Sequence, residues 1–371
     1  MSKFKIPFND LGKRSQHLVN QESAIVANVL KSGWFIQGPN VEKFEIEFAS
    51  FLNAQYVVTV GNGTDALLIA LKTLDVGIGD HVAIAPNAGF YAATAVLSLG
   101  AIPVYVDIDP QTYNMAVEDL ARVLIEHEIK TVVFTSLYGN TSGLVEVSEL
   151  LKIHNIPLIE DCAQSTGAMT LLGRSGSIAT ISTFSFYPTK NLAAIGDGGA
   201  ISTNSKEHFE SIKSIKQYGW DKNEKYRVLR LGQNSRMDEI QAAILNFRLQ
   251  FLFQDNQKRV EIAICYRDAL PAEAGLIRIQ NDGSHVAHLC VLESEHQKML
   301  SNHLESHGVQ TVVHYPILDV DQPVITSSKL NTREVPNAKK LAKMILSLPN
   351  SPTLSEPEVE TVQIALQKIG F

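Results

Sequence analysis

Lys190 is the residue whose surroundings most strongly indicate chemistry in this sequence. It follows a run of hydroxyl-bearing and aromatic residues, 182–187, and precedes a glycine-rich turn at 196–199. An amine that condenses with an aldehyde must be partly desolvated to act as a nucleophile near neutral pH, and a pocket of this kind explains these neighbours better than a surface position does. The pattern therefore predicts that Lys190 forms a Schiff base.

Asp161 supplies a carboxylate that complements this amine. It follows the apolar run 156–159 and Glu160, which places it at the end of a predicted strand. Taken alone, such an aspartate could simply cap a helix. A lysine for a Schiff base and a carboxylate for a pyridinium nitrogen are, however, the two groups that pyridoxal phosphate most needs. We therefore predict pyridoxal phosphate as the cofactor, with Lys190 and Asp161 as the catalytic residues.

Candidate phosphate ligands lie in a turn, 61–65, that follows the apolar run 56–60 and opens a predicted helix. Gly63 lets the backbone approach an anion, the free N–H groups of a helix start favour phosphate, and Thr64 adds a hydroxyl. Ser185, in the run before the lysine, is a second hydroxyl donor. A capped turn and a buried core serine are the ordinary alternatives. This turn lacks the spaced-glycine fingerprint of a nicotinamide dehydrogenase, which disfavours that class of enzyme.

Other side chains could contact a ligand. Gln164 lies three residues after the carboxylate and could hydrogen-bond the hydroxyl of a pyridine ring. Phe90 and Tyr91 follow a predicted strand, where either ring could stack on a flat cofactor or pack in the core. His303 and His307 are four apart on a predicted helix, but no third ligand is evident, so we predict no metal site.

Strand-like apolar runs alternate with helical patterns from about residue 40 to residue 205. Strands that are apolar throughout and joined by helices predict an α/β fold, with a mostly parallel sheet covered by helices on both faces. Ligands of such sheets bind beyond the carboxyl ends of the strands, where the candidate residues fall. The predicted strands are 56–60, 81–85, 103–107, 131–135 and 157–160.

The pattern changes after about residue 235, where long helices with one short strand indicate a smaller α+β domain. We therefore predict a large cofactor-binding domain over residues 1–250 and a small C-terminal domain over residues 251–371. The predicted elements of this second part are helices at 237–253, 254–269, 296–307, 335–346 and 356–368, and a strand at 288–292.

The composition of the 371 residues excludes several classes of partner. A net charge of −7 gives no basic surface for nucleic acid. No apolar run of about 18 residues predicts a membrane span, and the N-terminus lacks the apolar stretch of a signal peptide. Three cysteines without metal-type spacing are typical of reduced thiols, so we expect a cytoplasmic protein.

Five segments of the chain together resemble the DegT/DnrJ/EryC1/StrS sugar-nucleotide aminotransferases, a family within pyridoxal phosphate fold type I. The resemblance covers nearly the whole chain, and the segment that contains Lys190 is the most specific. It implies an aspartate aminotransferase-like fold with a mostly parallel central sheet. The segments are 32–39, 61–67, 160–164, 184–192 and 234–243.

The resemblance also implies roles for individual residues. Lys190 would bind the cofactor and shuttle the proton, Asp161 would pair with the pyridine nitrogen, and Gln164 would lie beside the ring oxygen. Asn234 resembles a residue that reaches the phosphate of the neighbouring subunit's cofactor, which implies a homodimer with shared active sites. The remaining assignments are Gly63, Thr64 and Ser185 for the phosphate, Tyr91 for stacking on the ring, and Tyr187, His314 and Tyr315 for the sugar nucleotide.

By the same resemblance, glutamate would donate its amino group to a keto group of a nucleotide-linked deoxysugar. The segments 34–36 and 87–91 look most like enzymes that act at sugar C3 and make dTDP-3-amino-3,6-dideoxyhexoses, for example for lipopolysaccharide O-antigen. A C4 transaminase is the close alternative. A non-catalytic regulatory homologue is another, and the presence of both Lys190 and Asp161 disfavours it.

Overall fold

Three helices open the chain and lie against the rest of the molecule. The computed structural model describes residues 4–16, 18–224, 226–328, 330 and 333–370. The first helices are α1 (Leu11–Gln16), α2 (Val19–Ser32) and α3 (Pro39–Leu52).

A seven-stranded sheet forms the centre of the larger part of the molecule. Its strands are β1 (Tyr56–Val60), β2 (His81–Ile84), β3 (Ile102–Tyr105), β4 (Ile129–Thr135), β5 (Leu158–Asp161), β8 (Ile181–Ser185) and β9 (Gly199–Thr203), while β6 (Met169–Thr170) and β7 (Gly173–Arg174) form a separate hairpin. The strand order is β1-β9-β8-β5-β4-β2-β3. Neighbours are parallel except where β9 pairs with β1 and β8, which confirms the prediction of a mostly parallel sheet.

Helices cover both faces of this sheet. Val58 and Val133 pack into the core that contains α4 (Gly63–Thr73) and α5 (Tyr91–Ser98). Their neighbours Val57 and Val132 point to the opposite face, because successive side chains of a strand alternate between faces. Burial on both faces explains why the strands are apolar throughout. The remaining helices of this part are α6 (Val117–Glu126), α7 (Leu144–His154) and α8 (Lys206–Ile215).

A second, antiparallel sheet of three strands carries its own core. It consists of β10 (Leu276–Ile277), β11 (Cys290–Glu293) and β12 (Ile345–Leu348), in that order. Helices α10 (Leu252–Ala269), α11 (Gln297–Ser306) and α14 (Glu356–Gln367) pack against it. The other helices after residue 235 are α9 (Glu239–Leu249), α12 (Pro323–Ser328) and α13 (Pro336–Leu341).

The predicted helix 335–346 is wrong at its C-terminal end. Helix α13 stops at Leu341, and Ile345 begins β12 instead. All four residues of β12 are buried, and a short apolar run of this length fits a helix and a strand equally well on periodicity alone. The hydrogen-bonded pairing with β11, more than 50 residues earlier in the chain, stabilises the strand rather than a helix.

The division of the chain near residue 250 falls between α9 and α10, and we retain it as a proposal. The N-terminal segment departs from that division, because Ile6 is fully buried in the second core. Its backbone N–H donates to the carbonyl of Gly308 at 2.9 Å, and its carbonyl accepts from the N–H of Gln310 at 2.9 Å. The chain therefore crosses between the two cores near its start, which places Phe8 and Asn9 beside the cavity described below.

The cysteines and histidines show no sign of metal binding in the part of the chain that the structure describes. Cys162, Cys265 and Cys290 are free thiols. No described group of three or more His, Cys, Asp or Glu side chains could hold a metal ion. Over the same residues, no helix has both the length and the apolar character needed to cross a membrane.

Glu239 holds the start of α3 from a distant part of the sequence. Its fully buried carboxylate accepts hydrogen bonds from the backbone N–H groups of Gly38, Asn40 and Val41, at 2.8 to 2.9 Å. Gly38 is the N-cap and has no side chain to satisfy these donors. Glu239→Ala therefore leaves them unpaired, and we expect the free energy of unfolding to fall by about 3 kcal/mol, measured by urea denaturation.

The comparison variant is Glu239→Gln, whose single oxygen can still accept from the N–H groups of Gly38 and Val41, while its NH2 group faces the N–H of Asn40 and cannot accept from it. We expect this variant to lose about 2 kcal/mol, less than the alanine variant. An alanine variant as stable as the glutamine variant would show that these hydrogen bonds do not fix α3.

Candidate active site

A cavity of about 420 Å³ lies at the carboxyl ends of β5 and β8, beside the N-terminus of α4. Its size is within the range of small-molecule sites, and its position is where parallel sheets bind ligands. It brings together nine residues predicted from the sequence: Gly63, Thr64, Tyr91, Asp161, Ser185, Tyr187, Lys190, His314 and Tyr315.

Asp161 is the last residue of β5 and is almost fully buried. Oδ1 accepts a hydrogen bond from the backbone N–H of Ala163 at 3.0 Å, and Oδ2 accepts a longer one from the hydroxyl of Thr135 at 3.4 Å. Burial raises the pKa of Asp161, while the Ala163 N–H and the charge of Lys190 act in the opposite direction. A cation bound against this carboxylate would stabilise its charged form.

Lys190 lies in the turn that follows β8, where its backbone N–H donates to the carbonyl of Tyr187 at 2.8 Å. Burial lowers the pKa of Lys190 to about 8, although the charge of Asp161 opposes this shift. Near neutral pH, an amine with this pKa is deprotonated in a useful fraction of the molecules. A nucleophile and a general base must both be in this neutral form.

The lowered pKa predicts how the amine of Lys190 reacts in cofactor-free protein. Only the neutral amine attacks an acylating reagent, so its modification rate should rise with pH, reach half of its maximum near pH 8 and level off above pH 9. Mass mapping of the digest reports each lysine separately. Exposed lysines of the same digest are the internal control, because their rates should still be rising above pH 9. A Lys190 profile that follows theirs would contradict the expected shift.

One end of the cavity is formed by the start of α4. The side chain of Asn62 caps this helix by accepting from the N–H of Asp65 at 2.8 Å, and Thr64 lies in its first turn. A Cβ atom at Gly63 would come within 2.6 Å of the Cβ of Ser185, so only glycine allows this approach. Backbone donors, the helix N-terminus and two hydroxyl groups therefore meet where a phosphate could bind.

Of Phe90 and Tyr91, Tyr91 is the one that lines the cavity. It is the first residue of α5, half of its surface is exposed, and its ring meets that of Tyr315 edge to face at a centroid distance of 6.3 Å. Phe90 instead packs against the core of the sheet. Of the two aromatic candidates, Tyr91 is thus the one placed to stack on a bound ring.

Two of the predicted residues do not line the cavity. Gln164 is buried behind it, where Oε1 accepts from the N–H of Tyr138 at 2.7 Å and Nε2 donates to the hydroxyl of Tyr315 at 3.4 Å. Asn234 is exposed and pairs with Gln217 in an isolated bridge. Their roles beside the ring oxygen and at a neighbouring subunit remain predictions.

His314 and Tyr315 approach the cavity from the second sheet. Nδ1 of His314 lies 2.9 Å from the hydroxyl of Ser347 in β12, and its carbonyl accepts from the hydroxyl of Tyr138 at 2.6 Å. Burial and the charge of Lys190 lower the pKa of His314 to about 4. The imidazole is therefore neutral at physiological pH and adds no positive charge to the site.

A model of the DegT/DnrJ/EryC1/StrS aminotransferase family matches residues 16–367. The chain belongs to this family. Membership confirms the predicted activity, an aminotransferase, and the predicted cofactor, pyridoxal phosphate. The fold is that of pyridoxal phosphate fold type I, as predicted.

This chain aligns with named relatives over nearly the whole length of both proteins. It is 36% identical over 371 residues to the dTDP-3-amino-3,6-dideoxy-alpha-D-galactopyranose transaminase of Aneurinibacillus thermoaerophilus, covering 99% of this chain and 100% of that protein. It is 36% identical over 368 residues to the UDP-2-acetamido-2-deoxy-3-oxo-D-glucuronate aminotransferase of Pseudomonas aeruginosa, covering 97% and 99%. The crystal structure of NtdA from Bacillus subtilis with bound cofactor PMP has a TM-score of 0.91 at 30% identity, covering 99% of this chain and 85% of that one.

The site geometry fits the cofactor of this aminotransferase family. A buried carboxylate, Asp161, lies at one strand end, and a glycine that no larger residue could replace, Gly63, lies at the start of α4. Pyridoxal phosphate has a protonated ring nitrogen and a phosphate that require these two kinds of partner. Lys190 lines the same cavity, where an aldehyde could reach its amine.

The cavity also contains residues that the sequence did not reveal. Asp197 belongs to the glycine-rich turn already noted, which is the only sequence signal for any of them. Arg259 lies in the middle of α10, and Asn350 follows β12; both are buried. They include Phe8, Asn9, Asp197, Arg259, His288 and Asn350.

Proposed function

We propose that the protein transfers the amino group of glutamate to the keto group of a nucleotide-linked deoxysugar. The favoured reaction converts a dTDP-3-keto-6-deoxyhexose to a dTDP-3-amino-3,6-dideoxyhexose. The observation that carries the proposal is the shared cavity of Lys190 and Asp161, in which a lysine of lowered pKa lies near a buried carboxylate.

The proposed roles follow from the position of each group. Pyridoxal phosphate, when bound, supplies the electron sink that makes a carbon–hydrogen bond next to nitrogen acidic. The amine of Lys190 accepts the proton from the donor's α-carbon and later delivers a proton to the sugar carbon. Asp161 balances the positive charge of the ring nitrogen, and Tyr91 stacks on the ring. Gly63, Thr64 and Ser185 hold the phosphate. The assignment of Gln164 to the ring oxygen rests on the family resemblance, because its side chain lies behind the cavity.

The sugar nucleotide is proposed to enter past Tyr187, His314 and Tyr315. Tyr187 is 52% exposed at the cavity, and His314 is neutral. Tyrosine hydroxyls and a neutral imidazole can both donate and accept hydrogen bonds, which suits the hydroxyl groups of a sugar. Their aromatic faces suit the apolar side of a hexose or a base.

A homodimer is part of this proposal. Trp34, Phe35 and Ile36 are consecutive and exposed by 55%, 48% and 39%, an apolar patch that a partner subunit could cover. Asn234 is exposed as well, so a second copy could bring it to the neighbouring cofactor phosphate. If a Trp34→Glu variant remained dimeric at micromolar concentration in sedimentation analysis, this patch would not be the dimer interface.

The choice of C3 is supported by the relatives. The names of both the Aneurinibacillus and the Pseudomonas enzymes place the nitrogen or the keto group at C3, although one uses dTDP and the other UDP.

We infer a cytoplasmic enzyme that supplies an activated amino sugar for lipopolysaccharide O-antigen. The free thiols Cys162, Cys265 and Cys290 are in keeping with a reducing compartment.

The test is a product assay. Purified protein is incubated with glutamate and either a 3-keto or a 4-keto dTDP-6-deoxyhexose, and the products are identified by NMR. We expect amination at C3 of the 3-keto substrate. Amination of the 4-keto substrate alone would establish the C4 alternative, and parallel UDP-linked substrates would reveal a different nucleotide. No turnover of any keto sugar, in protein that binds the cofactor, would contradict the proposed substrate class.

A further inference from the structure

Asp319 is a buried carboxylate that contacts the loop leading to Tyr91. It opens a short 3₁₀ helix, Asp319–Asp321, and only 1% of its surface is exposed. Its Oδ1 accepts a hydrogen bond from the backbone N–H of Phe90 at 2.9 Å, and its own N–H donates to the carbonyl of Pro86 at 2.8 Å. The two bonds clamp both ends of the loop 86–90, which joins β2 to α5.

The loop needs such support because of its backbone conformation. Phe90 is the N-cap of α5 and has φ of 70° and ψ of 5°, a left-handed conformation that a bulky residue rarely adopts. A phenylalanine side chain cannot accept from the first N–H groups of the helix, as an N-cap side chain normally does. Asp319 accepts from the N–H of Phe90 itself and so fixes the backbone one residue before Tyr91.

A second contact fixes the same loop from the same side. A Cβ atom at Gly89 would lie 2.8 Å from Cζ of Tyr315 and 2.9 Å from Cε2 of Tyr91, so the loop backbone packs closely on both rings. Tyr315 precedes Asp319 by four residues. The segment 315–319 thus holds the loop at two points, once by a ring and once by a carboxylate.

We propose that Asp319 is a positioning residue that sets the ring plane of Tyr91, and through it the affinity for pyridoxal phosphate. The proposal rests on the stacking role of Tyr91 given under the proposed function. Asp319 does not line the cavity and acts only through the Phe90 N–H and the loop.

The environment of Asp319 identifies the closest substitute. Oδ2 is buried and has no hydrogen-bond partner in the described structure. Burial raises the pKa of Asp319 to about 8, against the opposing effect of the Phe90 N–H. Near neutral pH the group is therefore largely a neutral carboxyl, which asparagine matches in size and in its acceptor oxygen. Asp319→Asn should keep the bond to Phe90, whereas Asp319→Ala removes it.

The experiment measures the equilibrium affinity of cofactor-free protein for pyridoxal phosphate, together with the visible circular dichroism of the bound cofactor. We expect Asp319→Ala to weaken affinity by about tenfold and to reduce the dichroic band. Asp319→Asn should stay within about twofold of the parent. Asp321→Ala is the matched control, because Asp321 is exposed in the same helical turn and should have no effect.

A double-mutant cycle tests whether Asp319 acts through Tyr91. Once Tyr91→Ala has removed the ring, adding Asp319→Ala should weaken binding no further. Independent, multiplying effects, or a normal affinity of Asp319→Ala, would overturn the positioning role. If Asp319→Ala does not fold, Asp319→Ser replaces it, because a serine hydroxyl is too short to reach the Phe90 N–H. An unchanged affinity of Tyr91→Ala would overturn the stacking role itself, and this proposal with it.

Discussion

Lys190→Ala is expected to abolish turnover, with kcat reduced by about 10⁴-fold or more. The variant loses both the nucleophile that holds the cofactor and the base that moves the proton. Among the described residues, Lys190 is the lysine that lines the cavity, so no other described lysine is placed to take over both tasks. Single-turnover kinetics with glutamate, followed by the change in cofactor absorbance, measures the loss directly.

Lys190→Arg is the control for charge. Arginine keeps a positive charge in the cavity but remains protonated and cannot act as nucleophile or base. We expect it to be as inactive as the alanine variant, while both still bind pyridoxal phosphate without a covalent bond. An active arginine variant would show that Lys190 contributes only charge.

Asp161→Asn is expected to lower kcat/KM by about 10³-fold. The amide has the size of the carboxylate and can still accept from the Ala163 N–H, so folding should be preserved. It cannot balance a positive charge on the ring nitrogen, so the cofactor becomes a poorer electron sink. Steady-state kinetics gives the loss, and thermal unfolding checks that the variant is folded.

Glu160→Gln is the matched control for this change. Glu160 precedes Asp161 in β5 and points to the opposite side, where it accepts from the hydroxyl of Ser175 at 2.6 Å and the N–H of Gly176 at 2.9 Å. It is fully buried but does not line the cavity. We expect its amide variant to keep most of the activity. Equal losses in the two variants would mean that Asp161 supports the strand rather than the chemistry.

Much of the site could be predicted because its residues follow strands with clear patterns. Asp161 ends one strand of the central sheet and Ser185 ends a neighbouring, hydroxyl-rich strand, and parallel strands bring their carboxyl ends to one edge. The turn at Gly63 follows β1 and opens α4, which is a local signal. Each of these positions depends on neighbours in sequence, and the sheet then gathers them.

The residues that the sequence did not predict owe their positions to contacts between segments that are distant in the chain. Arg259 and Asn350 reach the cavity only because the second sheet packs beside it. Asp319 opens a 3₁₀ helix of only three residues, too short to show a periodic pattern, and its partner Phe90 is 229 residues away. Strand β12 likewise exists because β11 pairs with it. Single-sequence patterns carry no information on such pairings.

The most direct test of the account is to locate the bond between the cofactor and the protein. Holoenzyme is reduced with sodium borohydride, which makes that bond permanent, then digested and mapped by mass spectrometry. The account predicts one modified peptide, with the pyridoxyl group on Nζ of Lys190. A modified lysine elsewhere, or no modified peptide in protein saturated with pyridoxal phosphate, would contradict it.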